Sequence, residues 1–211
     1  MVQIITVERE YGSQGAEFAH HLAQYLNWKF IDNSMIKEVA QRAGVAESLA
    51  EHYDEHIDPW FHRLEKAVWH NSLDRIVAPS NSDAFDGARM VGFVHEYLLE
   101  AASQGNCVVV GRGAACVLAK SAGAFHIFVY ASMARKTRWF QELFPEHAKN
   151  AEHEIIATDK RRADYILRFH HHDWSDRQLY SLMLNSCVGI DAMVKATVEA
   201  AGLRVGESVI H

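Results

Sequence analysis

Two glycine-bearing stretches and one run of arginines are the residues of this chain whose types and spacing could do chemistry. "VEREYGSQGAEFA" (Val7–Ala19) follows a β-branched run, "IIT", and leads into "AHHLAQYL", which reads as a helix. A turn from strand to helix leaves backbone N–H groups and the positive end of a helix dipole pointing outward, which together attract an anion. Gly12 and Gly15 permit the close approach that such a loop needs. The full phosphate-loop pattern is GxxxxGK[ST], with a lysine for the terminal phosphates and a hydroxyl for magnesium. Laid over this sequence, Arg9 takes the place of the first glycine, Gln14 that of the second, and Gly15 stands where the lysine belongs. Residues 12–16 therefore have two readings, a cradle built from main-chain amides of Gly12, Ser13, Gln14, Gly15 and Ala16, or a plain turn.

"VVVGRGA" places Arg112 just past a strand, at the edge of an open α/β sheet where ligands bind. An arginine there can fork onto a phosphate, or it can simply sit on the surface of a tight turn. "DKRRADYILRFHHHDW" puts Arg161, Tyr165, Arg168 and His172 on one helical face, with Arg162 beside it. Phosphoryl transfer uses removable positive charge of this kind to neutralise and position phosphates. A solvated helix carrying a Lys160–Asp164 pair explains the same run without chemistry. Asp32, in "KFIDN", ends a strand; it could take hydrogen bonds from an acceptor or cap the following helix. The consecutive histidines of "FHHHDW" point different ways on a helix and have no second ligand cluster spaced to meet them, which argues against zinc.

Five apolar runs must position these residues: Ile4–Glu8, Lys29–Ile31, Cys107–Val110, Phe125–Tyr130 and Tyr180–Leu184. "CVVVG" and "FHIFVY" are apolar on both faces, as strands of a buried parallel sheet are. Helical patterns separate them. Ala19, Leu22, Ala23 and Leu26 share one face, and "VHEYLLEAASQG" stops at Gly105, a helix-ending residue. The alternation predicts an α/β fold, a parallel sheet wrapped by helices. Residues 34–104 are too long for one crossover and are expected to form a helical insert, with "PSNSDAFDG" (Pro79–Gly87) its irregular stretch. Residues 133–174 are polar, charged and helical.

The chain has 211 residues, 49% hydrophobic and 23% charged, which suits one domain with a real core. A formal net charge of −6 gives no reason to expect nucleic-acid or membrane binding. Fourteen histidines make that charge climb steeply as pH falls through the imidazole range. Cys107, Cys116 and Cys187 are odd in number and lack metal-ligand spacing, as expected of reduced thiols. "MVQIITVERE" lacks a basic region followed by an apolar stretch, so a soluble, cytoplasmic protein is expected.

Taken in order, "ITVEREYGSQGAEFAHHLAQYL", "FIDNSMIKEVAQRAGV", "CVVVGRGAACVL", "FHIFVYAS", "DKRRADYILRF" and "LYSLMLNS" resemble the cytidylate kinase-like family, a branch of the P-loop nucleoside-monophosphate kinases. The resemblance spans nearly the whole chain and is weakest over about residues 55–95. It implies a P-loop NTPase fold: a five-stranded parallel sheet with helices on both faces, a helical monophosphate-binding insert at 34–104 and a lid at 133–174. It also implies γ-phosphoryl transfer from ATP, carried with Mg2+, to CMP or dCMP. Under it Gly12, Ser13 and Gly15 fall on the phosphate loop, Asp32 on the acceptor side, and Arg112 on an arginine that contacts the monophosphate. Arg162 matches the lid arginine, with Lys160, Arg161 and Arg168 as its neighbours. Arg9, Arg161 and Arg162 are then the residues expected to supply the charge of the missing lysine. "GSQGAE" departs from the family's "GSGGRE": Gln14 replaces a glycine, Ala16 a basic residue, and Glu17 stands where a metal-binding hydroxyl would. Ser132 replaces a usual proline, and Arg135, Lys136 and Arg138 after it are out of clean register. The alternative is a catalytically silent nucleotide- or phosphate-binding regulator.

Overall fold

The computed structural model describes residues 1–32 and 81–203, with backbone alone over 81–90. The chain divides into two compact units, one made of Met1–Asp32 and Leu99–His211, the other of Asn33–Leu98. Residues 34–80 of the expected insert lie outside the described part.

Five strands form one sheet: β1 (Ile4–Arg9), β2 (Lys29–Ile31), β3 (Cys107–Val110), β4 (Ala124–Tyr130) and β5 (Leu182–Asn185). Their order is β2-β3-β1-β4-β5, and every pair is parallel. β1 is central; Ile4 pairs with Cys107 on one side and with Ala124 on the other. Both of its faces are covered, so it carries almost no solvent-facing position. Ile5 and Val7 meet Phe18, Leu22, Met193 and Val194, from α1 (Gly15–Leu26) and from the last helix, Ile190–Ala200. The alternate residues Thr6 and Glu8 point to the opposite face. On that face Phe128, Ile166, Trp174 and Tyr180 cluster with Ala115. Thr6 Oγ1 bonds His126 Nδ1 across the β1–β4 pair at 2.8 Å, and burial holds that imidazole below its usual pKa.

The helices in chain order are α1, α2 (Asn81–Gln104), α3 (Ala114–Val117), α4 (Met133–Leu143), α5 (Ala151–His170) and α6 (Ile190–Ala200). α1 buries Phe18, Ala19, Leu22 and Ala23 and stops at Asn27, whose left-handed backbone (φ 53°) turns its N–H back onto Ala23 and Gln24. Fully burying Phe18 is worth about 1.5–3 kcal/mol. α4 begins at Ser132, whose hydroxyl accepts from the Arg135 amide. α4 and α5 share a small core of Phe140, Ala151 and Ile155, against which Tyr11 and Trp139 pack.

Three expectations change, and one gains detail. Asn81–Gly87, read as irregular, belongs to α2: Asn, Ser and Asp at its start favour the end of a helix that carries free N–H groups. The polar run 133–174 is helical as expected, in two helices separated at Phe144–Pro145 by a 3₁₀ turn over Pro145–Asn150. α5 ends at His170, and His171 turns left-handed (φ 58°), so His172 leaves the face it was expected to share with Arg161. β5 begins at Leu182 rather than Tyr180, because Tyr180 turns inward and donates its hydroxyl to the Trp174 carbonyl at 2.7 Å.

Candidate phosphate and acceptor site

The loop after β1 is tightly wound. Ser13 is fully buried; its hydroxyl and its amide both donate to the Glu10 carbonyl, at 2.8 and 3.3 Å. That hydroxyl is a staple of the turn. Gln14 caps α1 in the left-handed region (φ 60°), a conformation that strains a non-glycine residue by about 1–2 kcal/mol. Two contacts hold it there: Oε1 accepts from Arg135 Nη2 at 3.1 Å, and Nε2 donates to Glu17 Oε2 at 3.2 Å. The first amides of α1, at Gly15 and Ala16, have no acceptor within the helix and carry the positive end of its dipole.

Beside the loop lies a buried charge centre. Lys136 of α4 is 5% exposed and donates from Nζ to Glu10 Oε2 at 3.0 Å and to Asp159 Oδ2 at 2.9 Å. The same carboxylates grip backbone: Asp159 Oδ1 accepts from the Tyr11 amide at 2.6 Å, and Glu10 Oε2 from the Ala131 amide at 3.1 Å. Burial alone would lower the ammonium's pKa; hydrogen bonds and charge from Asp159 and Glu10 outweigh it and raise the pKa above that of an ordinary lysine. Gly12, at φ 76°, makes room for this: a Cβ there would lie 3.2 Å from Lys136 Cβ and from the Trp139 ring.

Guanidiniums gather on the other flank. Arg162 of α5 donates from Nη1 to the Arg9 carbonyl at 2.8 Å, and its Cζ lies 5.6 Å from the centroid of the Tyr11 ring. Arg9 lies over Gly111, where any Cβ would collide with its guanidinium. Arg112, 9% exposed, sits in that turn with left-handed backbone (φ 63°), and His170 packs against Gly113 next to it. The Arg112 charge reaches Tyr165, whose phenol is nonetheless pushed up to about 12 by burial. Beneath them Glu8 is 4% exposed. Its Oε2 accepts weakly from Trp174 Nε1 at 3.4 Å, and Oε1 has no hydrogen-bond partner among the described residues. Burial raises its pKa above 4.5 despite opposing influences from Arg9, Trp174 and Arg162. Burial, then the Glu8 charge, pushes the Cys116 thiol up to about 12, so it is an unreactive thiol.

Of the residues singled out from sequence, Arg9, Gly12, Ser13, Gln14, Gly15, Ala16, Arg112 and Arg162 come together at the carboxyl edge of β1 and β3. Asp32, half-buried, directly follows β2 on the same edge. Arg161 donates to Thr158 Oγ1 on its own helix at 2.6 Å, while Lys160 and Arg168 are exposed, Arg168 over the Phe169 ring. Lys136, Glu10, Asp159, Glu8 and Trp174 are additions from the structure. Their only signal in sequence was a lysine four residues past Ser132. Among the described residues no group of three or more His, Cys, Asp and Glu could hold a metal, the histidines after Phe169 included. No helix of those residues is long and apolar enough to cross a membrane.

A parallel sheet with this strand order, and a glycine-bearing turn at the exit of its central strand, defines the fold of P-loop kinases. The model of the cytidylate kinase-like family matches residues 4–187, and the chain belongs to that family. An uncharacterised protein from Eubacterium ventriosum has a similar structure: TM-score 0.70 at 18% identity, covering 97% of this chain and 100% of that one. A shikimate kinase from Bacteroides thetaiotaomicron superposes with TM-score 0.53 at 14% identity, covering 95% and 99%. A gluconokinase from Sinorhizobium meliloti gives 0.53 at 10% identity, covering 95% and 91%. At these identities the likeness is one of fold. No curated protein matches the sequence.

Proposed function

We propose that this chain transfers the γ-phosphoryl group of ATP to a small phosphorylated acceptor, a nucleoside monophosphate, with CMP or dCMP first. The observation that carries this reading is the meeting of Arg162 and Arg9 at the phosphate loop, with Arg112 one turn away. Transfer through a loose, in-line transition state needs charge neutralisation and positioning, and no covalent intermediate. In this reading the amides of residues 12–16 hold the ATP phosphates, Arg9 and Arg162 neutralise them, and Arg112 grips the acceptor phosphate. Asp32 orients the acceptor. Lys160, Arg161 and Arg168 belong to the lid formed by 133–174, and 34–104 is the acceptor-binding insert. With Ser13 committed to its turn, the exposed Glu17 is the carboxylate of the loop that would help hold the magnesium carried by ATP, which would supply charge neutralisation of the phosphates.

A coupled assay with CMP, dCMP, UMP and AMP tests the proposal. Turnover with one of them supports it, and no turnover at high enzyme with all four removes it. A second reading, binding without catalysis, draws on Gln14 occupying a glycine position with both ends of its amide engaged. Calorimetric titration with ATP–Mg and CMP separates the two: heat without turnover favours the silent regulator.

A further inference from the structure

The Glu10–Lys136–Asp159 centre is not accounted for by phosphate binding. Its ammonium is inside the protein, and both acidic partners take it together with a main-chain amide. The two amides belong to Tyr11, within the loop, and to Ala131, at the exit of β4. Four pieces of chain, 10–11, 131, 136 and 159, therefore meet at one cation. Removing that cation would leave two carboxylates facing one another beside the loop, each free to let go of its amide.

We propose that Lys136 is a positioning residue of the nucleotide site: it does not touch phosphate but, through Glu10 and Asp159, fixes the backbone of Glu10 and Tyr11 so that the amides that follow are presented to ATP. The proposal rests on the phosphoryl-transfer reading for its ligand, though not for its geometry. The structure gives three grounds. Gly12 lies directly on the Lys136 side chain, so a shift of α4 moves the loop. Trp139, on the same helix, stacks edge-on against Tyr11 at 5.6 Å. Arg162, three residues after Asp159, holds the Arg9 carbonyl, so the loop is gripped on both sides of Glu10.

The test uses the full chain as K136M, K136R and the neutral triple variant E10Q/K136M/D159N, with amide exchange by NMR and ATP–Mg titration by calorimetry. In K136M the Tyr11 and Ala131 amides should accelerate at least about tenfold beyond any acceleration shared by Ile5 and Val108, whose core-strand amides report the loss of global stability. ATP–Mg affinity should fall by about tenfold or more in the same variant. K136R should keep both properties. The triple variant, whose amide carbonyls can still accept from Tyr11 and Ala131, should recover most of each, and it carries the test should K136M fail to fold. Wild-type exchange at Tyr11 and Ala131 in a folded K136M overturns the proposal. So does a triple variant with normal exchange but poor ATP binding, which would mean that the ammonium itself meets phosphate. If the wild-type chain does not bind ATP–Mg at all, the phosphoryl-transfer reading fails, and the exchange measurement alone still decides whether Lys136 fixes the loop.

Discussion

Two buried ionisable groups flank the start of the phosphate loop, and they are handled in opposite ways. Lys136 has two carboxylates within 3.0 Å, and those carboxylates are themselves hydrogen-bonded to backbone. Glu8, two residues upstream of Glu10, has a long bond from an indole, a contact from the Gly113 backbone and the nearby charges of Arg9 and Arg162, and burial outweighs them all. The first arrangement recovers the cost of burial through charge and geometry; the second does not, so Glu8 is driven toward its neutral form. Stability is concentrated on the Lys136 side. The Glu8 side keeps a carboxyl only partly compensated by Arg9, Arg162, Trp174 and Gly113, where the acceptor is proposed to bind.

Substitutions on each side test this contrast. Lys136→Met should have the largest effect, destabilising by about 3–5 kcal/mol because it strands two carboxylates, measured as a lower midpoint in urea. The Lys136 contribution is present at neutral pH, where folded and unfolded lysine are both protonated. It should fade as pH rises above 10.5 through the higher folded pKa, so the difference between wild type and variant should narrow under alkali. Glu8→Gln should act in the opposite direction, stabilising by about 1 kcal/mol at pH 7 in thermal melts. Its advantage follows from the raised pKa: the wild-type carboxyl folds best when protonated, so the gap should vanish below pH 4.5 and open as pH rises. A gap that stays constant from pH 4 to 7 would mean that Glu8 is compensated after all. An effect of similar size and opposite sign is expected for Tyr180→Phe, which loses one hydrogen bond to the Trp174 carbonyl, destabilises by about 1 kcal/mol and leaves the Lys136 side untouched.

What could be read from sequence depended on whether the signal was local. β3 was bounded correctly at Cys107–Val110 because four apolar residues stand between Asn106 and Gly111, and the loop was located by its glycines. Arg112 was placed on the sheet edge by the strand before it. β5 was misplaced because Tyr180 and Ser181 favour strand as readily as Leu182 does; only packing against Phe128 and Trp174 decides Tyr180. The Lys136 centre had no local signature. Its partners lie 126 and 23 residues away in sequence, and in one dimension a lysine between two arginines looks like a solvated helix face. Glu8 was equally quiet, since a charged residue near a strand end is ordinarily exposed. The candidate site was thus visible as an edge and a set of arginines, and its internal charge balance was not.

The bare turn at Gly111 has a consequence for how variation can enter this chain. Because the guanidinium of Arg9 occupies the volume that any side chain at 111 would need, even alanine there displaces an arginine that belongs to a different strand. Positions 9 and 111 are therefore coupled, but a shorter residue at 9 does not open 111 by itself, because the backbone there is left-handed (φ 71°). Tolerated members of a doubly randomised library should keep glycine at 111, or an Asn or Asp that accepts that conformation.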